Sequence, residues 1–194
     1  MNRKRVFGWL APVLLLALPA WAQTPLEDGA RRYFGDTVLI DQDGHEQRFF
    51  SDLIAGKVVV IHAMFTACET DCPLTATTLK RVQEHLGSRL GPEVHILSIT
   101  LDPEHDTPAR LQEHARKLEA RPGWMFLTGK TADVEAVLGK LGLTEPDFKK
   151  HKPLLLVGNV PTGLWKKVFP LASTEEILAV VDSVLDDPGE GGPL

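Results

Sequence analysis

Short apolar runs alternate with longer stretches of helical periodicity along most of this 194-residue chain. Val58–Ile61, Val94–Leu101 and Trp124–Leu127 are mainly apolar and have the length of a strand. Such runs are typical of strands that are buried on both faces. Each is followed by residues whose apolar positions recur every three to four, so the pattern predicts strands joined by helices. This alternation indicates an α/β protein with a central sheet that is covered on both sides.

The two ends of the pattern predict antiparallel strands. Thr37–Asp41 and Gln47–Phe49 flank an Asp43-Gly44 pair, which favours a β-hairpin because Asp-Gly suits a tight turn. Leu154–Val157 and Leu164–Val168 predict two further strands that are joined by a turn. The order is therefore hairpin, β-α-β-α-β-α and then β-β-α. It predicts a thioredoxin-like α/β fold with a central mixed sheet flanked by helices and an N-terminal β-hairpin.

Four helices are predicted, and each begins at a recognised start signal. Ser173 and Glu176 form a capping box for the last one. The others begin at Pro73, at Pro108 behind an Asp106 or Thr107 cap, and at Thr131. Apolar positions at helical spacing should face the core. These are Leu74, Leu79, Val82 and Leu86; Leu111, Ala115 and Leu118; Val134, Val137, Leu138 and Leu141; and Ile177, Val180, Val181, Val184 and Leu185.

The first 22 residues have the organisation of a secretory signal peptide. Arg3–Arg5 form a positive segment, Val6–Ala20 are apolar, and Ala20-Trp21-Ala22 resembles a cleavage site. An uncleaved membrane anchor is the alternative, although Pro12, Pro19 and the short apolar span disfavour it. We expect an exported, periplasmic protein that is attached to the membrane only if the signal is retained. The predicted division of the chain is a signal peptide (1–22), a lead segment (23–33), a thioredoxin-like domain (34–186) and a mobile tail (187–194).

The charge balance disfavours nucleic acids as partners. Three of the 21 basic residues and none of the 26 acidic residues lie in the signal, so the rest of the chain carries a net charge of −8. An acidic domain repels phosphate backbones, and no basic stripe is present. Nucleic-acid binding is therefore disfavoured.

The two cysteines follow the first buried strand. In an open α/β sheet, functional sites form at the carboxyl ends of the strands. Because Pro73 begins a helix, Cys68 and Cys72 should lie near its positive N-terminal end, which lowers thiol pKa and favours thiolate. Three residues, Glu69-Thr70-Asp71, separate them, so both sulfurs can face one ion and can still form a disulfide.

Three interpretations of the pair are open. A structural disulfide would close a very short loop and would therefore remove little entropy from the unfolded chain. A redox dithiol would exchange disulfides with a partner. A metal site would use both thiolates as ligands.

His151 favours the metal site. In thioredoxin-like proteins the proline before the following strand faces the cysteine motif, so Lys152–Pro153 is a candidate cis bond and His151 should lie over the sulfurs. Two thiolates and one imidazole suit Cu(I) and, with small adjustment, Cu(II). Structural zinc normally needs four ligands, and no fourth is evident. The alternative for His151 is a loop histidine beside a lysine-rich turn.

Three sequence blocks carry a resemblance to a known family. Phe65-Thr66-Ala67-Cys68 with Cys72-Pro73, the segment Asp102–Pro108, and His151-Lys152-Pro153 with Leu154–Asn159 resemble the Sco/SenC family of copper proteins. The similarity covers about Phe34 to Leu185. It departs from the family pattern at Glu69-Thr70, where Pro-Asp is common, and at Lys150, where an acidic residue frequently precedes the histidine.

The resemblance implies a copper protein that takes part in respiratory assembly. Its metal ligands would be Cys68, Cys72 and His151, with one copper per chain. The partner would be the subunit of cytochrome c oxidase that holds the binuclear copper centre, which the protein would load with copper or whose cysteines it would reduce. A thiol–disulfide oxidoreductase with Cys68 and Cys72 as its redox pair, and a redox or copper sensor, are the alternative functions.

Other polar residues have simpler interpretations. His62 lies within the first buried strand and is predicted to be a hydrogen-bonded core histidine rather than an auxiliary ligand. His105 should face solvent. Asp102 should either shape an Asp-Pro turn or support a metal ligand through a hydrogen bond. The remaining histidines, His45, His85, His95 and His114, are scattered and need no function.

Overall fold

The computed structural model describes residues 25–67, 72–144, 153–169 and 172–189. Five α-helices and seven strands lie within these ranges. The helices are α1 (Pro25–Phe34), α2 (Cys72–Leu86), α3 (Pro108–Lys117), α4 (Thr131–Leu141) and α5 (Thr174–Leu185). The strands are β1 (Val38–Asp41), β2 (Glu46–Arg48), β3 (Val58–Met64), β4 (Val94–Thr100), β5 (Trp124–Thr128), β6 (Leu155–Asn159) and β7 (Leu164–Val168).

All seven strands form one mixed sheet in the order β2-β1-β5-β4-β3-β6-β7. The central strands β3, β4 and β5 are parallel. The hairpin β1-β2 is antiparallel to β5, and β6 and β7 continue antiparallel on the other side of β3. Every residue of β3 is buried, as its uninterrupted apolar run predicts for a central strand. The predicted thioredoxin-like sheet with an N-terminal hairpin is confirmed.

Helices cover both faces of the sheet, and each face has its own core. Helices α1 and α4 pack on one face, together with a π-helical segment, Phe49–Ile54, that follows the hairpin. Helices α2, α3 and α5 pack on the other face. Residues of β3 alternate between the two cores: Val59 and Ile61 face the first, and Val58 and Val60 face the second. No helix within the described residues is long and apolar enough to span a membrane.

Most predicted core positions are buried, with one clear exception. Leu79, Val82 and Leu86 of α2 are buried, but Leu74 is 47% exposed. The prediction for Leu74 is wrong because it lies in the first turn of α2, before the buried stripe is established, and Thr75 takes the buried position instead. In α5, Val180 and Leu185 are only partly buried.

Helix α1 is an element that the sequence pattern does not predict. Among residues 26–34 of this helix, only the last, Phe34, is buried, and it packs against Phe49 and Trp165 with ring centroids 5.9 and 5.4 Å away. Tyr33 is exposed but donates a hydrogen bond of 2.8 Å to the carbonyl oxygen of Lys140 in α4. The helix is therefore held by contacts at one end and not by a continuous apolar stripe.

Candidate functional site

The cysteine loop, which is the segment 65–71 between β3 and α2, carries the first predicted ligand. Cys68 and His151 lie outside the described residues. Lys152 does too, so the predicted Lys152–Pro153 cis bond stays a prediction. Cys72 is the first residue of α2, one position earlier than the predicted helix start. Its backbone is therefore at the N-terminus of that helix, where unpaired N–H groups and the helix dipole favour negative charge.

The described elements on either side of the three predicted ligands meet at one edge of the sheet. Strand β6 runs antiparallel to β3, with His62 of β3 opposite Leu155 of β6. Met64, the last residue of β3, lies two residues after His62. Pro153 lies two residues before Leu155, in the segment that leads into β6. The carboxyl end of β3 and the approach to β6 are thus neighbours. The sheet brings together the segments that lead to Cys68 and to His151.

Strand β4 contributes to the same edge. It is parallel to β3, and Met64 of β3 is the partner of Thr100 at the end of β4. One more backbone hydrogen bond, from Leu101 N to the Met64 carbonyl oxygen at 2.7 Å, extends the contact past the last pair. The Asp102–Pro108 block that resembles the family therefore leaves the sheet beside the cysteine loop.

Asp106 of this block is a buried carboxylate that binds the cysteine loop. Its side chain is only 1% exposed and accepts three hydrogen bonds. Thr66 donates two of them, from its backbone N–H at 3.0 Å and from its hydroxyl. Thr100 donates the third from its hydroxyl at 2.6 Å. Asp106 thus joins the end of β4 to the residue that lies two positions before Cys68.

The sequence predicts Asp106 only as a candidate cap of α3. The cap of α3 is Thr107, whose hydroxyl accepts a hydrogen bond from Arg110 N at 3.4 Å. The sequence does contain a signal for a second role. Asp106 and Thr107 are both residue types that cap helices, and one cap is enough. Because Thr107 caps the helix, the Asp106 carboxylate can bind another partner. Which partner it takes depends on the β3–β4 pairing, which the local sequence does not specify.

Asp102 shapes the turn that leads to Asp106. Its carbonyl oxygen accepts hydrogen bonds from His105 N at 3.1 Å and Asp106 N at 2.8 Å. Its carboxylate also lies 2.8 Å from Nδ1 of His105, and this hydrogen bond raises the pKa of His105 above its ordinary value. His105 is exposed, as predicted. Two roles are predicted for Asp102. The contacts among the described residues are those of the first role, in which Asp102 shapes the turn.

His62 is a core residue, as predicted. It is 7% exposed, and its Nε2 lies 2.7 Å from the hydroxyl oxygen of Ser98. The same hydroxyl accepts a hydrogen bond from Nε1 of Trp124 at 2.9 Å. This buried polar group is therefore satisfied by neighbouring strands, as a structural histidine requires.

A separate group of metal-ligating side chains lies at the hairpin turn. Asp41, Asp43 and His45 have ligand atoms within 4.8 Å of one another. The Asp41 carboxylate already accepts hydrogen bonds from the backbone N–H of Asp43 and His45, both at 2.9 Å, and from Gln47 at 2.8 Å. These bonds are the internal contacts of a turn. The cluster belongs to the hairpin and not to the edge that carries the cysteine loop.

Comparisons with known proteins agree with the resemblance in sequence. A SCO2-like protein of Rickettsia felis is 31% identical over 142 residues, which are 70% of this chain and 66% of that protein. The chain thus spans slightly less than two-thirds of this relative. Copper-bound ScoI of Bradyrhizobium japonicum has a similar structure, with a TM-score of 0.62 at 23% identity over 76% of this chain and 96% of that one.

A further similar structure is that of BsSco, described as a member of the Sco family of cytochrome c oxidase assembly proteins with a disulfide switch. Its TM-score is 0.62 at 25% identity, covering 77% of this chain and 91% of that one. The family model described as SCO1/SenC matches residues 27–151, which is well over half of the chain. This protein therefore belongs to the SCO1/SenC family.

Proposed function

We propose that this protein binds one copper ion through Cys68, Cys72 and His151 and serves the assembly of the binuclear copper site of cytochrome c oxidase. The observation that carries the proposal is the meeting of β3, α2 and β6 at one sheet edge in a SCO1/SenC chain. Copper is the cargo of this function. It is delivered to a cysteine-bearing subunit of the oxidase.

The lengths of the connecting segments support this ligand set. Cys68 directly follows Ala67, the last described residue of the β3 end, and His151 is two residues from Pro153. Two residues of extended chain span at most about 7 Å, so this short separation is compatible with the proposed ligand set. Cys72 begins α2, and a helix N-terminus is a position at which proteins generally stabilise a cysteine thiolate. Two thiolates and one imidazole form a soft donor set for Cu(I).

Reduction of the oxidase cysteines is the second candidate function of the same site. It needs only the Cys68–Cys72 dithiol, and the disulfide switch described for BsSco favours it. A thiolate of this pair would attack the disulfide of the partner, and the other cysteine would resolve the mixed disulfide, leaving the partner reduced and this protein oxidised. His151 separates the two functions, because a dithiol reductase has no need of it.

Anaerobic Cu(I) titration of the reduced protein without residues 1–22 tests the proposal. We expect one Cu(I) per chain for the wild type, because the proposed site offers two thiolates and one imidazole to a single ion. We expect loss of high-affinity binding in Cys68→Ser and Cys72→Ser, and weakening of at least tenfold in His151→Ala. His105→Ala is the matched control, since it removes an exposed histidine from a neighbouring loop.

Two results would contradict the proposal. Equal Cu(I) affinity in the wild type and His151→Ala would remove the histidine from the ligand set and leave a dithiol. Undiminished Cu(I) uptake by the oxidised protein would exclude the thiolates, because a disulfide offers no thiolate ligand.

Export across the inner membrane is part of the proposal. The amino-acid pattern of residues 1–22 supports periplasmic localisation. Mass spectrometry of the protein from periplasmic extract should give a chain beginning at Gln23. Recovery of the full-length chain from the membrane fraction would instead support a retained anchor.

A further inference from the structure

We propose that Asp106 is a positioning residue for the copper-binding cysteines. Its carboxylate holds Thr66, and through Thr66 it fixes the point from which the cysteine loop starts. The inference extends the proposed function to a residue that binds neither copper nor the partner. The inference rests on the proposed function only where copper binding is the measured quantity. The thiol–disulfide equilibrium of Cys68 and Cys72 tests the same loop without copper.

The position of Asp106 is itself fixed by a closed set of hydrogen bonds. Its backbone N–H donates to the Asp102 carbonyl oxygen at 2.8 Å, and Asp102 N in turn donates to the Thr100 hydroxyl at 3.0 Å. That hydroxyl donates to the Asp106 carboxylate at 2.6 Å. The carboxylate therefore has little freedom to follow a displaced loop. Its position is set by the end of β4.

Thr66 is held on two sides by this carboxylate. One carboxylate oxygen accepts its backbone N–H at 3.0 Å, and the other accepts its hydroxyl. Hydrogen bonds to a carboxylate are stronger than those between neutral groups, and burial of Asp106 strengthens them further. Thr66 lies beyond the last β3–β4 pair, Met64 with Thr100, so the ladder itself does not hold it. Asp106 replaces the missing ladder contact.

A fixed start of the loop favours any state in which the two sulfurs must lie close together. Binding of one ion by both thiolates, or closure of the disulfide, restricts the loop residues. If Asp106 has already restricted Thr66, less conformational entropy is lost when copper binds or the disulfide closes. Release of Thr66 should therefore weaken copper binding and disulfide formation together.

Four variants separate positioning from charge and from general stability. Asp106→Ala removes all three hydrogen bonds. Asp106→Asn removes the charge but can keep the geometry, since its carbonyl can accept from Thr66 N and its amide can donate to the Thr66 hydroxyl. Thr66→Val removes one contact only. Glu104→Gln is the control, because Glu104 is an exposed carboxylate in the same segment.

Three measurements are made on each variant. The first is Cu(I) affinity by competition with a chromophoric chelator. The second is the equilibrium constant for protein dithiol plus oxidised dithiothreitol giving protein disulfide plus reduced dithiothreitol. The third is urea unfolding of the oxidised and reduced forms, which reports any loss of stability common to both.

We expect Asp106→Ala to weaken Cu(I) binding at least tenfold and to lower the disulfide equilibrium constant at least threefold. Asp106→Asn and Glu104→Gln should change both quantities less than threefold, and Thr66→Val should weaken Cu(I) binding at least threefold. A residue that only stabilises the fold would lower the stability of both redox forms equally and leave the equilibrium constant unchanged.

The outcomes that overturn the inference are distinct from failure of the proposed function. Unchanged Cu(I) affinity and equilibrium constant in folded Asp106→Ala would overturn it, and so would equal losses in Asp106→Asn and Asp106→Ala, which would assign the effect to charge. If Asp106→Ala does not fold, an unchanged Thr66→Val overturns it. A wild-type protein that binds no Cu(I) refutes the copper function, while the equilibrium constant still tests Asp106.

Discussion

Burial lowers the pKa of two partly buried histidines, His95 and His114. His95 on β4 has ring nitrogens 2.7 Å from the Leu53 carbonyl oxygen and 3.1 Å from that of Gly91. Burial lowers the pKa of His95 in spite of these hydrogen bonds. His114 packs edge-on against Phe126 with ring centroids 5.7 Å apart, and burial lowers its pKa while the charge of Asp106 opposes the shift. Both are favoured in the neutral form in the folded protein.

These shifts predict that acid destabilises the fold over the pH range in which the two histidines take up protons. As pH falls below about 6.5, the ordinary pKa of histidine, the unfolded chain binds more protons at these two positions than the folded chain does. The free energy of unfolding should therefore fall between pH 7.5 and 5.5. His105 has the opposite shift, but it is exposed and contributes little.

Urea unfolding at the two pH values measures this loss. His95→Gln should show a smaller acid loss, because glutamine can still donate to the Leu53 carbonyl oxygen but does not titrate. An acid loss identical to that of the wild type would exclude His95 as a contributor.

Among the elements, α5 shows most directly how a local sequence signal becomes a contact. The Ser173 hydroxyl accepts a hydrogen bond from Glu176 N at 3.2 Å, and the Glu176 carboxylate accepts one from Ser173 N at 2.9 Å. The helix then buries Ile177, Val181 and Val184 against the sheet. The cap thus defines where this buried face begins.

Loss of this cap should have a measurable cost. Ser173→Ala should lower the free energy of unfolding by about 1 kcal/mol, because the backbone N–H of Glu176 loses the hydroxyl that accepts its hydrogen bond. Ser183→Ala on the same helix is the control, since Ser183 is exposed and lies outside the cap. Urea denaturation at neutral pH gives both values. Equal stability of Ser173→Ala and the wild type would mean that solvent replaces the cap at no cost.

The sequence predicts these elements unequally, for physical reasons. Strand β3 and helices α4 and α5 are predicted well because their apolar periodicity is produced by burial itself. Helix α1 is missed because it has no apolar stripe, and its buried residue Phe34 packs on rings that are distant in sequence. Leu74 fits the periodicity but is exposed, because periodicity does not say where a helix extends past the core.

For the whole molecule, sheet order determines which loops are neighbours. β4 and β6 both pair with β3, so the Asp102–Pro108 block and the approach to His151 reach the edge that bears the cysteine loop. The predicted ligands were identified from residue chemistry and family resemblance, which local sequence can supply. The contact between Asp106 and Thr66 spans 40 residues and depends on that strand order, so no local pattern could predict it.

X-ray absorption of the Cu(I)-loaded protein tests the central claim most directly, because it counts the ligand atoms around the metal. For the wild type, the account predicts two sulfur scatterers and one nitrogen scatterer per copper. It also predicts that His151→Ala loses the nitrogen and that His105→Ala does not. A wild-type spectrum with sulfur alone, or a nitrogen signal that persists in His151→Ala, would contradict it.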